Sequence, residues 1–381
     1  RPFFLYEITG QIGVLATTLV SIPMYISVFN LIGYGLYLTF LALVSLTNLL
    51  NIDSNSIFIK NFSKSKNNTR EAPDSFINFT AIKASFLSII LIILAFISKS
   101  FLDFSSLSSS EFTCIVLLAS LANFLGILNV GFASIKAAEG KIDYLPLLAH
   151  SFPIAVTLIS LPLIYINEKI YIIFAVQSVV AATIFLLFIL DPSVKKHIKF
   201  FIKTDYVIYW VQVSLSIQGW NISNQLRTTS LSLAVNIASG PEGLAILNII
   251  AKIPQTISIF TARLSYPIFI KLNAIQNDPS CGSATSMFSV TTLVCIKIAA
   301  LMISGCYLLN LQFLWLWTAE TLDYLYLENI LINIMYFTPL CAVITGHFLI
   351  SADLLSKVVK FNFAEIIFSI VLFFMFYRFH H

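Results

Sequence analysis

Apolar residues in this chain come in long unbroken runs, not in alternation. Between Phe86 and Ile97 the only polar residue is Ser88. A bilayer core of about 30 Å needs roughly 20 apolar residues to be crossed as a helix. Eleven segments reach that scale, at 4–28, 30–50, 79–98, 112–135, 143–165, 170–190, 206–236, 242–266, 286–309, 327–350 and 358–377. Barrel strands would alternate lipid-facing and lumen-facing residues, so continuous runs predict helices, which satisfy their own backbone in lipid.

One predicted span breaks the apolar pattern. Ser214, Gln218, Asn221, Gln225, Thr228 and Ser232 recur at spacings of four and three, which places them on one helical face. Asn224 sits beside this stripe and Arg227 on its shoulder, about 100° from Thr228. A polar face of this length suits a cavity, although polar residues in membrane helices also join helix to helix.

Composition agrees with the pattern: 58% of the 381 residues are hydrophobic, 10% are charged and mean hydropathy is +0.90, which excludes an ordinary soluble domain. The net charge of +4 has a topological origin. Every second connection is basic, holding Lys60, Lys64, Lys66 and Arg70, then Lys136 and Lys141, then Lys195, Lys196, Lys199 and Lys203, then Arg263 and Lys271, and finally Lys357 and Lys360. The opposite connections hold Lys99 and Lys169. The positive-inside rule therefore predicts a cytoplasmic N-terminus, and nucleic acid is not an expected partner. Trp315, Trp317, Tyr324 and Tyr326 then fall in an outer loop, at an expected aromatic belt.

Cations inside spans are costly and usually functional. Lys252 lies near the middle of the eighth span, Lys297 near the middle of the ninth and Arg227 in the outer half of the seventh. Lys83 lies nearer a span end, where it can snorkel. His150 reads as a packing histidine or a protonation site, and Glu139 with Lys141 as a local ion pair or gate contact. Pro23, Pro153, Pro162, Pro254 and Pro267 read as kinks, some of them hinges. No Asp or Glu lies near the centre of any span. Cys114, Cys281, Cys295, Cys306 and Cys341 show no metal-ligand spacing, and no phosphate-binding glycine loop is present, so neither a metal, a cofactor nor direct nucleotide use is expected.

The chain also repeats weakly. The turn at Leu31, Ile32, Gly33, Tyr34, Gly35 and Leu36 is matched about 207 residues later by Ala238, Ser239, Gly240, Pro241, Glu242, Gly243 and Leu244. The segment from Gly131 to Lys141 is matched about 215 residues later by the segment from Gly346 to Asp353. These offsets predict two six-helix halves around a central cavity, 1–191 and 206–381, joined by a cytoplasmic linker at 192–205. They also predict a twelfth helix just past His381, and the absence of an initial Met leads us to expect residues before Arg1. The first span lacks a basic leader and a clean cleavage site, so it is expected to be retained.

On the glycine turn at Gly33 to Leu36, the run Ala138, Glu139, Gly140 and Lys141, and the run Ser265, Tyr266, Pro267 and Ile268, the chain resembles O-antigen-type lipid-linked oligosaccharide flippases of polysaccharide biosynthesis. These belong to the multidrug/oligosaccharidyl-lipid/polysaccharide exporter superfamily. The resemblance implies an all-α, polytopic, multi-pass transporter of the bacterial cytoplasmic (inner) membrane, not an enzyme. Its cargo would be an undecaprenyl-pyrophosphate-linked saccharide, moved by alternating access for O-antigen, capsule or exopolysaccharide assembly. Membrane lipid, a polysaccharide polymerase and chain-length proteins are the partners so implied. Arg227, Lys252 and Lys297 would meet the pyrophosphate, and Gln218, Asn221, Asn224, Gln225 and Thr228 the sugar hydroxyls. Members often carry an acidic residue in the seventh helix, whereas this chain reads Asn224, Gln225, Leu226 and Arg227 there. Two other readings stay open: a cation-coupled multidrug exporter of the same superfamily, and a polytopic glycosyltransferase or polymerase. The first needs intramembrane carboxylates. The second usually needs acidic residues in an early outer loop or a large outer domain.

Overall fold

The computed structural model describes residues 2–48, 50, 51, 55, 58, 59, 71–139, 144–198, 208, 211, 229–257, 284–318, 329, 330, 332, 333, 360, 363, 364 and 367. The protein is all-α and polytopic, with no strand among the described residues. The helices are α1 (Pro2–Asn48), α2 (Glu71–Ser98), α3 (Ser109–Ala138), α4 (Tyr144–Asn167), α5 (Tyr171–Leu190), the short α6 (Pro192–Lys195), α7 (Thr229–Ile257) and α8 (Ala284–Thr318). Six helices among the described residues are long and apolar enough to cross a membrane.

The apolar stretch of α1, Thr9–Asn48, runs for 40 residues. At 1.5 Å per residue that is about 60 Å, twice a bilayer core. It holds two predicted spans, divided at Asn30, which takes φ 58 and ψ −178. That region is costly for any residue with a Cβ, and the Asn30 carboxamide offsets part of the strain by accepting from Gly33 N at 3.0 Å. Likewise, α7 contains the end of the seventh predicted span and the start of the eighth, with Gly240 at φ 69 between them.

Two boundaries differ from the sequence reading. α2 begins at Glu71, eight residues before the predicted 79, because Glu71 and Asp74 suit a helix N-terminus and Pro73 is tolerated in a first turn. α8 continues to Thr318, so Trp315 and Trp317 lie on this helix and not in a loop. Phe313 and Trp317, one turn apart, hold their ring centroids 5.2 Å apart, and that contact extends the helix. Tyr324 and Tyr326 lie outside the described residues.

The chain divides into two compact units, one centred on Arg1–Leu244 and the other on Ala245–Leu372. In the first, α3 packs most extensively against α2 and α5, and α1 against α4. Small residues permit the α1 to α4 approach: a Cβ on Gly10 would lie 2.3 Å from the His150 ring, and one on Gly13 would lie 2.9 Å from Ile154. Polar side chains join helix to helix, as membrane interiors require. Ser88 Oγ donates to Ser120 O at 3.2 Å, Ser178 Oγ to Leu118 O at 2.8 Å and Asn129 Nδ2 to Ala181 O at 2.9 Å. Outward, Ile82, Phe86, Ile89, Ile93 and Phe96 form an exposed apolar stripe along α2. Such a stripe is unstable in water and suited to lipid.

The core of this unit has two centres. Near the ends that carry the basic connections, Phe58 stacks on Phe76 at 4.1 Å, and Leu87, Leu128, Phe132, Ile135 and Val194 complete the cluster. Towards the opposite ends, Phe40 contacts Phe104, Phe112 and Phe174 at centroid distances of 5.4, 5.7 and 5.8 Å, and Tyr37 reaches Phe174 at 5.7 Å. The N-terminus of α3 is fixed by a capping box: Ser108 Oγ accepts from Glu111 N at 3.2 Å while Glu111 Oε2 accepts from Ser108 N at 3.2 Å.

Candidate functional site

Of the residues picked from sequence, Lys252 and Lys297 are described. Arg227, Gln218, Asn221, Asn224, Gln225 and Thr228 lie outside the described residues. Lys252 sits on α7, half-buried, two turns past Ala245, and its carbonyl accepts from Thr256 Oγ1 at 2.8 Å. Pro254 and Thr256 lie on the same helical segment. Lys297 sits on α8 with its side chain exposed. Among the described residues neither ammonium has an ion-pair partner.

Several other cations among the described residues are engaged. Lys83, which sequence placed near a helix end, is twelve residues inside α2 because the helix starts early. It is 6% exposed, and its ammonium lies 5.9 Å from the Phe79 ring centroid. Burial against an aromatic face replaces the snorkelling expected from sequence. Glu139 pairs with Lys196 at 3.0 Å, an ion pair between the end of α3 and the residue that closes α6. Lys141 lies outside the described residues.

Sequence reasoning missed the strongest electrostatic feature of the first unit. Lys136 is only 1% exposed, and its ammonium lies 2.5 Å from Asp191 Oδ2 and also donates to Ser193 Oγ. Asp191 caps α6, accepting from Ser193 N at 2.9 Å and from Ser193 Oγ at 2.6 Å. The Lys136 ammonium, and after it the Ser193 hydroxyl, hold the Asp191 carboxyl well below the usual carboxylate range. Beside them, His197 Nδ1 meets Asp74 Oδ1 at 2.9 Å. The sequence signal was an Asp-Pro step closing an apolar run, which announces a helix start. At the other ends of these helices Lys169 pairs with Glu111 at 2.7 Å, and the Glu111 carboxylate pushes the Lys169 ammonium up.

The second unit has a polar cluster of its own. Asn310 Nδ2 donates to Asn329 Oδ1 at 2.7 Å and to Ile250 O at 3.3 Å. Asn333 Nδ2 donates to Asn329 Oδ1 at 3.1 Å. All three asparagines are buried, and they tie α7 and α8 to the segment at 329–333. His150 is buried with its ring against Gly10, as a packing histidine would be. Among the described residues no group of three or more His, Cys, Asp or Glu is placed to hold a metal ion.

No family model matches the chain, and no curated protein matches it. A solved structure described as the inward-facing conformation of a multidrug resistance MATE family transporter of the MOP superfamily aligns with it at a TM-score of 0.61 and 13% identity, covering 94% of this chain and 86% of that one. At that identity the likeness establishes the fold alone: this chain shares the all-helical architecture of that structure.

Proposed function

We propose that the protein moves a lipid-linked, anionic saccharide, of the undecaprenyl-pyrophosphate class, across the bacterial cytoplasmic membrane by alternating access. The observation that carries this reading is the position of Lys252 in the second unit. Lys252 is half-buried on an apolar helix, with no carboxylate partner among the described residues. An ammonium held this way in a membrane protein is expensive unless an anion visits it. The fold supports the transport half of the reading, and the cation with the absence of carboxylates near span centres supports the anionic cargo. Arg227, Lys252 and Lys297 are assigned to the pyrophosphate, and Gln218, Asn221, Asn224, Gln225 and Thr228 to the sugar. Two six-helix halves, 1–191 and 206–381, with a cytoplasmic N-terminus complete the arrangement.

The test is a vesicle assay. Purified protein is placed in liposomes that carry a fluorescent polyprenyl-pyrophosphate saccharide, and loss of signal to an impermeant quencher reports exchange between leaflets. Exchange is expected to exceed that of protein-free vesicles and to fall about tenfold or more in Lys252→Gln, the loss of one charge-assisted contact. Unchanged exchange in Lys252→Gln would remove that residue from the cargo path. A second reading, cation-coupled multidrug export, is favoured by the description of the matched structure as a multidrug resistance transporter. Dye efflux that survives neutralisation of all three cations would support it instead.

A further inference from the structure

The two repeat-related turns, predicted from sequence to follow the first and seventh spans, meet. A Cβ built on Gly35, in the second span, would lie 1.8 Å from the carbonyl oxygen of Pro241 and 2.9 Å from its Cα. No side chain fits there, so backbone lies against backbone. One turn further along α1, Asn236 Nδ2 donates to Thr39 Oγ1 at 2.7 Å, and Thr39 Oγ1 donates to Gly35 O at 2.8 Å. Thr39 is 1% exposed and Asn236 2% exposed, so the contact excludes solvent completely. Each partner belongs to a helix interrupted by one positive-φ residue, Asn30 in α1 and Gly240 in α7.

The position and the chemistry of this contact both matter. The two turns carry no Lys or Arg and lie at the lysine-poor ends of their helices. The contact joins residues that carry no charge, through one neutral side-chain hydrogen bond and one glycine-to-carbonyl approach. Among the described residues Asn236 Oδ1 has no hydrogen-bond partner, although it is buried, so the closed contact leaves a polar atom that gains by opening to water. Elements that must separate repeatedly need joints of this kind, close enough to seal and weak enough to part.

We propose that Gly35 against Pro241, latched by Thr39 and Asn236, is the gate that closes the transport pathway on its lysine-poor side. This rests on the alternating-access reading but not on the identity of the cargo. Glycine is required at 35 because any Cβ holds the two backbones apart. The hydrogen bond one turn away sets how readily the closed state yields.

Thiol accessibility tests the gate without any transported substrate. The five native cysteines are replaced by alanine, Leu43→Cys, one turn past Thr39 and 2% exposed in the native chain, is added as reporter with the latch intact, and labelling by an impermeant maleimide is timed in vesicles. Labelling is expected to be slow in the reporter alone and about tenfold faster when Gly35→Val is added, the shift expected from biasing a two-state equilibrium. Gly126→Val is the bulk control, because a Cβ there meets nothing within 4 Å, and it is expected to leave labelling slow. If Gly35→Val does not fold, Asn236→Ala removes the latch without adding bulk and is expected to accelerate labelling a few-fold. Labelling unchanged by the folded wedge variant, or by Asn236→Ala where the wedge does not fold, overturns the proposal. So does equal acceleration by Gly126→Val. Loss of saccharide exchange in the vesicle assay, with this labelling pattern intact, would count against the cargo and not against the gate.

Discussion

The two ends of the first unit are held together by different chemistry. At the lysine-rich end, ion pairs join Lys136 to Asp191 and Glu139 to Lys196, and His197 Nδ1 meets Asp74 Oδ1. All three contacts tie α2 or the end of α3 to residues 191–197, which follow the sixth predicted span. At the opposite end, the contact between the second span and the turn after the seventh uses a glycine, a proline carbonyl and one neutral hydrogen bond. The Lys136 ammonium is 1% exposed, and a buried charge is costly to leave without its partner, whereas a neutral hydrogen bond contributes only about 1 kcal/mol net. A unit that opens at one end while the other end stays closed benefits from the first kind of bond at the closed end and the second kind at the end that opens.

The largest expected effect tests the strong side of this contrast. Asp191→Asn leaves the Lys136 ammonium buried beside a neutral amide and is expected to lower stability by about 3 kcal/mol, read as a fall in Tm of the purified protein. Pairing it with Lys136→Met is expected to recover most of that loss, since the uncompensated charge is gone. If Asp191→Asn costs no more than a lost neutral hydrogen bond, the two ends do not differ.

Close helix packing comes next in size. Gly10→Val drives a side chain into the His150 ring and is expected to cost about 2 kcal/mol. Gly126→Ala, where the added methyl meets nothing, is expected to be neutral or to gain about 0.5 kcal/mol from helix propensity. Reversal of that order in thermal unfolding would show that α1 and α4 are not in contact through Gly10. On the weak side, Thr39→Val keeps the shape and removes the hydrogen bond to Asn236, with an expected cost of about 1 kcal/mol.

The smallest expected effect is a flat line. The Asp191 carboxyl is held below its ordinary range, so its contribution to stability is present above the unfolded value and lost as pH falls through the folded one. Between about pH 5 and 8 the Lys136 pair is therefore expected to leave Tm unchanged, with a loss only below about pH 4. In Asp191→Asn that acid loss is expected to shrink. A pH-dependent step near neutrality shared by wild type and Asp191→Asn would point to a group other than Asp191.

Much of the fold could be read from the chain because lipid imposes a simple rule: an apolar run long enough to cross, and charge at its ends. Phe86 to Ile97 and the alternation of basic connections carried that information. The extensions of α2 and α8 could not be read the same way, because Glu71, Asp74 and Trp317 look like loop residues on a hydropathy scale. They are helical for local reasons, a favourable dipole and a ring contact. Lys136 with Asp191 was not legible either. Which helix ends meet across 55 residues of chain depends on packing, and both residues look like ordinary interfacial charges. Of the candidate site, sequence placed Lys252 and Lys297 on apolar helices, where the structure has them. The polar stripe from Gln218 to Thr228 falls outside the described residues.

The most direct measurement is complementation. The chain is expressed in a bacterium that lacks its own O-antigen flippase, and surface polysaccharide is stained alongside the protein level in the membrane. Restored surface glycan, lost when Arg227, Lys252 and Lys297 are neutralised together at normal protein level, is the expected result. Surface glycan that persists in the triple variant would contradict the cationic path for a pyrophosphate-linked cargo.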